Sequence, residues 1–311
     1  MMELLATLAG ILSSVVLPLF VLVAVGWGMD RRFGLNLEAM VKLTIYVFVP
    51  AFVLVRLVES QLQPGLAPKL VVVTLIVIAA MGLLSWAGGK VRGDSAGTRT
   101  AMMLACMFYN CGNFGVPAMK LAFGAHAAEA QVFVLTTMNI STFTLGTVIA
   151  TAHHGTAGWR RFLPVLKQPS LYAVVVALVL RGTPVHPTTW PVWEPLRLAA
   201  DGTIAFMLLT LGVQLSKIKP PRLSGSLAWV SVVRLLLGPL IAWGAAWAVG
   251  CDRETTCILI LGAGAPAAIN TAMLAHEFKA DARLASAAVF YTTVLSVVTV
   301  TVILALLRAF G

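Results

Sequence analysis

Side-chain amides and helix-breaking residues are concentrated in one short stretch of the chain, "YNCGNFGVP", at positions 109–117. Asn110 and Asn113 supply amide N–H groups, which can bind the oxygen atoms of an anion or satisfy free backbone groups. Glycine and proline both disfavour a continuous helix. The residues of this kind in the stretch are Gly112, Gly115 and Pro117.

A second stretch of the same character, "GAGAPAAIN", lies at positions 262–270 and contains Pro266 and Asn270. Neither stretch is accompanied by a nucleophile–base pair or by metal-ligand spacing, and the cysteines are scattered. The sequence therefore favours a binding site for a polar guest over an enzyme active site, and it predicts no metal and no cofactor. The four cysteines are Cys106, Cys111, Cys251 and Cys257.

The composition defines the surroundings in which these amides must act. Of 311 residues, 59% are hydrophobic and 11% are charged, and the mean hydropathy is +0.92. The apolar residues form blocks of about 20, the length at which a helix crosses a bilayer. The net charge of +10 indicates basic cytoplasmic loops here rather than nucleic-acid binding. The sequence predicts an all-α, multi-pass membrane protein whose main partner is the lipid bilayer.

Apolar blocks and their punctuation predict ten spans, joined by connections too short to hold a soluble domain. The first block is a full-length span with no basic n-region, unlike a cleaved signal peptide. The predicted spans are 8–29, 39–59, 69–88, 99–121, 129–152, 167–183, 198–216, 226–249, 254–276 and 284–309.

Basic residues alternate between the connections and orient the predicted bundle. Lys and Arg gather after spans one, three, five, seven and nine, whereas the other connections hold single basic residues, often beside acids. Since cytoplasmic loops are enriched in Lys and Arg, both termini are predicted to lie outside the cytoplasm. The basic residues are Arg31, Arg32, Lys90, Arg92, Arg99, Arg160, Arg161, Lys167, Lys217, Lys219, Arg222, Lys279 and Arg283.

The two interrupted stretches fall in spans four and nine, the same position in two halves of five spans. Because five is odd, the halves 1–155 and 156–311 enter the membrane in opposite senses, which is typical of secondary transporters. We expect the unwound stretches to meet near the midplane, with Pro117 and Pro266 starting the second half-helices. Two inward-facing helix N-termini would then attract an anion. Simple proline kinks with locally satisfied asparagines are the alternative.

At these residues the chain resembles the auxin efflux carrier family, which includes plant auxin exporters and bacterial malonate and malate carriers. Residues 110–117 match the family pattern Asn-x-x-x-x-Gly-x-Pro, and "GAPAAINTAMLAHEFKAD" is similar to its ninth span. "KQPSLYAVV" resembles the start of its sixth span, with Gln168 where Asn is frequent. The resemblance covers essentially the whole chain.

This resemblance implies a scaffold domain of spans 1, 2, 6 and 7 and a transport domain of spans 3–5 and 8–10, in a bile-acid-symporter and NhaA-like architecture with crossing spans four and nine. It implies elevator-type movement, a homodimer and a place in the cell (inner) membrane. A small organic carboxylate would bind at the crossover. The substrate-binding residues would be Asn110, Gly112, Asn113, Gly115, Pro117, Gln168, Pro266 and Asn270.

Several points stay open at the level of the sequence. The substrate is malonate, malate, another carboxylate or an auxin-like acid. Acidic residues lie at span ends, so a Na⁺- or H⁺-coupled carrier with a buried carboxylate relay is the weaker hypothesis, and a channel weaker still. Arg234, about nine residues into span eight, either faces the cavity as a substrate counter-charge or extends to the cytoplasmic surface.

Overall fold

The computed structural model describes residues 2–60, 65–151, 166, 168–184, 187–219 and 223–309. Within these ranges the regular structure is helical, apart from one isolated antiparallel bridge. Seven of the described helices are long and apolar enough to cross a membrane. The predicted all-α, multi-pass membrane protein is therefore confirmed.

We number the described helices in chain order and count a helix that contains a π-helical turn as one element. They are α1 (2–33), α2 (Leu37–Glu59), α3 (Leu66–Val91), α4 (Ala96–Met107), α5 (111–123), α6 (125–151), α7 (Pro169–Arg181), α8 (Trp193–Lys217), α9 (Gly225–Val249), α10 (Arg253–Ala263), α11 (Ile269–Glu277) and α12 (Ala282–Ala309).

The seven long helices coincide with predicted spans one, two, three, five, seven, eight and ten. Predicted span four corresponds to α4 and α5, and span nine to α10 and α11, because each is interrupted. Predicted span six corresponds to the shorter α7, and its first residue, Lys167, lies outside the described residues. So does the predicted boundary between residues 155 and 156. The ten-span inverted repeat stays a prediction.

Four prolines enter the interior of these helices without breaking them, because a π-helical turn precedes each of the four. A proline lacks an N–H and clashes with the carbonyl one turn earlier, and a wider turn relieves both problems. The turns that precede these prolines occupy Leu12–Val16, Thr44–Phe48, Cys111–Gly115 and Val233–Leu237, each followed two residues later by a proline. Those prolines are Pro18, Pro50, Pro117 and Pro239.

The helices pack as two groups. α1, α2, α7 and α8 pack mainly on one another, and we call them the four-helix group. α3, α4, α5, α6, α9, α10, α11 and α12 form the eight-helix group. Within the four-helix group the backbones of α1 and α8 touch where Gly26 meets Leu209 and Gly212 meets Val23, because a Cβ at either glycine would overlap the facing main chain.

Polar contacts at the ends of the helices follow the same division. At one end, Arg56 binds Asp201 at 2.5 Å, and Arg197 binds Glu59 at 3.0 Å, so that α2 is joined to α8. Lys217 binds Asp30 at 2.7 Å at the other end of α8. Each ion pair between helices that the described residues form lies inside one group.

Connections predicted to share the cytoplasmic side are in contact with one another. Arg92, after α3, donates to the carbonyl of Gly225 at 2.7 Å, and Ser226 donates to Asp94 at 2.9 Å. Asp281, before α12, accepts from Thr98 at 3.3 Å. The alternation of the connections is consistent with these contacts, while the orientation of the termini stays a prediction. Arg160, Arg161, Lys167 and Arg222 lie outside the described residues.

Candidate functional site

The two interruptions lie against each other and satisfy each other's backbone. The first break comprises residues 108–110, between α4 and α5, and the second comprises residues 264–268, between α10 and α11. The Asn110 N–H donates to the Pro266 carbonyl at 2.7 Å, and the Ala268 N–H donates to the Phe108 carbonyl at 2.9 Å. Unpaired backbone groups cost several kcal/mol each in hydrocarbon, so this pairing makes two broken helices tolerable at that depth.

The prolines do not begin the inner half-helices as the sequence suggested. Pro117 is the second residue of the α-helical segment Val116–Phe123, but the π-helical turn Cys111–Gly115 continues directly into that segment. α11 begins at Ile269, three residues after Pro266. The expectation for Pro266 is therefore wrong, because this residue is needed as a backbone acceptor for Asn110.

The outer and inner half-helices differ at their N-termini. Ser95 caps α4 by accepting from the Thr98 N–H at 3.2 Å, and Asp252 caps α10 by accepting from the Thr255 N–H at 2.9 Å. That N–H, aided by the Thr255 hydroxyl, holds the pKa of Asp252 below its ordinary value, against the effect of partial burial. The inner half-helices α5 and α11 have no side-chain cap, and their first residues face a cavity.

This cavity has a volume of about 110 Å³, enough for several water molecules. It lies between the two groups: α2, α7 and α8 line one side, and α5, α6 and α11 line the other. Apolar side chains alternate with hydroxyls, among them Thr142 and Ser170. Six carboxamide side chains also line it, namely Asn110, Asn113, Asn139, Gln168, Gln214 and Asn270.

Five of the eight residues predicted to bind substrate line the cavity: Asn110, Gly112, Asn113, Gln168 and Asn270. The other three lie behind it and shape the break. Gly115 is buried, and a Cβ there would come within 2.8 Å of Gln131 Nε2. Pro117 is buried within α5, and Pro266 supplies the carbonyl described above. Substrate binding by all eight residues stays a prediction.

The side-chain amides of Asn110 and Asn113 differ in their hydrogen bonds. Asn110 is 8% exposed, and its side chain makes no hydrogen bond to any residue that the structure describes. The Asn113 amide donates to Gln214 Oε1 at 3.4 Å, a long contact between α5 and α8. The buried polar groups of a folded protein are normally paired. Asn110 is therefore available to a guest in the cavity.

Three polar residues near the breaks are not among those predicted from the sequence. Asn139 and Gln214 are single amides within long apolar runs, where no motif or periodicity marks them. Gln131 is fully buried behind α5, and its Nε2 donates to the Cys111 carbonyl at 3.3 Å. A polar side chain inside a membrane span is costly enough to be a signal in itself, and that signal could have found all three.

The position of the Arg234 side chain contradicts both interpretations that the sequence offered. It does not line the cavity, and it does not extend to the surface, because its side chain is fully buried in the π-helical turn of α9. The guanidinium donates to the carbonyls of Cys106 and Ala263, at the ends of α4 and α10. Its Cζ lies 4.7 Å from the centre of the Tyr109 ring. The carbonyl ends of two helices are the partners of this cation. The apolar composition of the surrounding sequence gives no sign of them.

Comparison with known proteins bears on what this arrangement does. Residues 161–304 match a protein family described as "Membrane transport protein". The chain is 23% identical over 261 residues to a protein of Methanothermobacter thermautotrophicus named "Uncharacterized transporter", and that similarity covers 83% of this chain and 84% of the relative. The chain is therefore similar to membrane transport proteins, over residues 161–304 for the family and over most of its length for the relative.

The resemblance to the auxin efflux carriers is thus confirmed at the level of the family, whereas the malonate and malate branch stays a prediction. The matched region contains Gln168, Arg234, Pro266 and Asn270, so it covers the second break and the charge buried next to it. The first break lies outside the family match. Its relation to the second therefore comes from the backbone pairing between them.

Proposed function

We propose that this transporter is a secondary carrier that moves a small organic carboxylate across the cell membrane, binding it in the cavity between the two groups. One observation carries the proposal: six carboxamides meet in one cavity at the uncapped N-termini of α5 and α11. Amide N–H donors and positive helix ends both favour an anion. Hydrogen bonds to a charged group contribute about 1.5–3 kcal/mol each, so two or three suffice to hold a carboxylate.

The eight residues predicted to bind substrate take distinct roles in this proposal. Asn110, Asn113, Gln168 and Asn270 donate to the carboxylate, and Gly112 lets it approach the backbone. Gly115, Pro117 and Pro266 hold the breaks in shape. The apolar part of the lining, including Val49 and Met138, contacts the body of the substrate. Malonate, malate and an auxin-like acid all share the carboxylate that this chemistry would recognise.

The mechanism we propose is elevator-type alternating access. The four-helix group, spans one, two, six and seven, would be the scaffold domain, and the eight-helix group the transport domain. Two observations support this division: the cavity lies between the groups, and the ion pairs between described helices lie within them. Movement of one group past the other would then break few strong polar contacts. Crossing spans four and nine, inverted halves, outward termini and a homodimer belong to the same proposal.

A carrier coupled to Na⁺ or H⁺ is the second candidate, and Gln131 favours it. Its Oε1 is buried without a hydrogen-bond partner among the described residues, next to α5 and α10. An amide oxygen can accept a hard cation such as Na⁺. A channel is the third candidate and is separated from a carrier by saturation.

Uptake of radiolabelled organic acids into proteoliposomes tests the proposal. We expect saturable uptake of at least one carboxylate, with kcat/KM about 100-fold lower in Asn110→Ala. Varying Na⁺ and pH separately on the two sides of the vesicle identifies the coupling. Flux that rises linearly with concentration would favour a channel, and the absence of uptake for every carboxylate would overturn the proposal.

A further inference from the structure

Arg234 is a buried charge without a buried counter-charge. It is fully buried, and none of the ion pairs among the described residues includes it. An unpaired buried charge is expensive unless polar groups replace the lost water. Nη1 donates to the Cys106 carbonyl at 2.6 Å, and Nη2 donates to the Ala263 carbonyl. The cation is thus held by backbone oxygens alone, apart from its contact with the Tyr109 ring.

The positions of these oxygens give the charge its significance. Cys106 lies in the last turn of α4, and Ala263 is the last residue of α10. Each helix end carries roughly half a negative charge, so two ends together balance about one guanidinium. The positive ends of α5 and α11 face the cavity, while the negative ends of α4 and α10 meet at Arg234. The two positive helix ends and the two negative helix ends are thus grouped at different places.

A glycine in α9 leaves room for the contact between Arg234 and the Ala263 carbonyl. Gly238 lies one turn after Arg234, and a Cβ at Gly238 would come within 2.7 Å of both Arg234 Nη2 and the Ala263 oxygen. The Tyr109 ring covers the guanidinium at 4.7 Å, and Tyr109 is one of the residues that line the cavity. Arg234 therefore lies behind the cavity, in contact with a residue that lines it.

We propose that Arg234 is an electrostatic positioning residue for the anion site. It neutralises the carbonyl ends of α4 and α10, so that an anion in the cavity is attracted by the ends of α5 and α11 without opposing repulsion. This inference rests on the proposed function. It adds that anion affinity depends on a charge that the substrate does not touch.

The experiment compares substrates that differ only in charge. Uptake is measured at pH 7.5 for dicarboxylates and for their half-esters, which are matched monoanions, with wild type, Arg234→Gln and Arg234→Lys. Because a Coulomb energy is proportional to the product of the charges, loss of one positive charge should affect a dianion twice as much on a logarithmic scale. We expect KM to rise about 10-fold for a half-ester and about 100-fold for the dicarboxylate in Arg234→Gln.

Two further variants separate charge from structure. Arg234→Lys keeps the charge and should keep KM within about threefold of wild type, with the maximal rate little changed. Gly238→Ala displaces the guanidinium without removing it and should raise KM about threefold to tenfold, more for dianions than for half-esters. It serves in place of Arg234→Gln if that variant does not elute as a monodisperse protein.

The outcomes distinguish this inference from the proposed function. Equal losses for mono- and dianions, or Arg234→Lys as impaired as Arg234→Gln, would show a structural role and overturn the inference while leaving the carrier intact. Unchanged KM in Arg234→Gln would overturn it as well. If wild type transports no carboxylate, the proposed function fails first and the inference fails with it.

Discussion

The two breaks at the centre of this protein both lie in stretches that combine glycine, proline and asparagine, but they contribute different groups to the site. The first break leads directly into a π-helical turn and brings the side-chain amides of Asn110 and Asn113 to the cavity. The second is longer and contributes mainly backbone: the Pro266 carbonyl accepts from Asn110, and the Ala268 N–H donates to Phe108. Its single cavity amide, Asn270, already belongs to α11.

This difference shows that one break can supply the side chains that bind the substrate, while the other fixes the positions of the backbone. A backbone carbonyl acts in the same way whatever side chain its residue has, so the second break can consist of small residues. Side-chain recognition requires particular amides at particular positions, and Asn110 and Asn113 lie in or directly after the first break. Variants in the two breaks should therefore affect different measurements, and four predictions test this from the largest expected effect to the smallest.

The largest effect is expected for Asn110→Ala. It removes a nearly buried amide donor without a protein partner among the described residues, so it should lower kcat/KM for carboxylate uptake about 100-fold, close to 2.7 kcal/mol. Asn270→Ala, in the second half of the site, should lower it about 10-fold. Both proteins should express and elute as wild type does. Normal uptake with an unchanged KM in Asn110→Ala would remove this residue from the site.

The next effect is expected for the proline of the second break. Pro266→Ala restores an N–H and allows α10 to extend, which would break the 2.7 Å hydrogen bond to Asn110. The maximal rate of uptake should fall about 10-fold. The control is Pro18→Ala, since Pro18 lies in α1 after a π-helical turn, is exposed and takes no part in either break. Equal effects of the two substitutions would mean that Pro266 is an ordinary helix kink.

A smaller effect is expected for two crowded glycines, Gly115 just after the first break and Gly264 at the start of the second. A Cβ at Gly115 would come within 2.8 Å of Gln131 Nε2, whose amide is engaged with Cys111, whereas a Cβ at Gly264 would come within 2.7 Å of Ile303 Cδ1. Because a methyl end moves more easily than a bonded amide, Gly115→Ala should cost about 2 kcal/mol and Gly264→Ala less than about 1 kcal/mol. Thermal unfolding in detergent measures both. The reverse order would show that the second break is the tighter one.

The smallest effect is expected at the outer helix ends. Ser95→Ala and Asp252→Ala each remove an N-cap and should cost about 1 kcal/mol. Only the Asp252 contribution should depend on pH. Since its pKa is lowered by folding, the stabilisation is complete above its ordinary pKa of about 3.9 and is lost as pH falls through the folded value.

Thermal unfolding of the same two variants at pH 7 and near pH 3 checks this sign. The difference between wild type and Asp252→Ala should shrink at the lower pH, and the difference for Ser95→Ala should not. A constant difference for Asp252→Ala would mean that its carboxylate does not stabilise α10 through its charge.

The sequence was sufficient to locate both interruptions. Proline, glycine and asparagine within an apolar run are costly in a membrane, so the stretches at 109–117 and 262–270 could be identified without coordinates. The register of their pairing could not, because the bridge between Tyr109 and Ala267 joins segments 158 residues apart (267 − 109) through backbone atoms alone. Side-chain type carries no information about such a contact.

Other residues of the site could not be predicted from the sequence, for equally specific reasons. The surroundings of Arg234 cannot be predicted from the sequence because its acceptors are carbonyls, which every residue possesses and which become available only where α4 and α10 end. Gln214 was overlooked because its neighbours are apolar and it belongs to no recognised motif. In both cases the missing information was the position at which another helix stops or faces the cavity.

The contact between α1 and α8 limits where this protein can change shape. At Gly26 and Gly212 main chain meets main chain, and no layer of side chains remains that could repack as one helix slides along the other. Interlocked backbones of this kind resist shear, since any displacement would force atoms to overlap. The α1–α8 pair should therefore keep its geometry through every step of a transport cycle and serve as a fixed frame for superimposing its states.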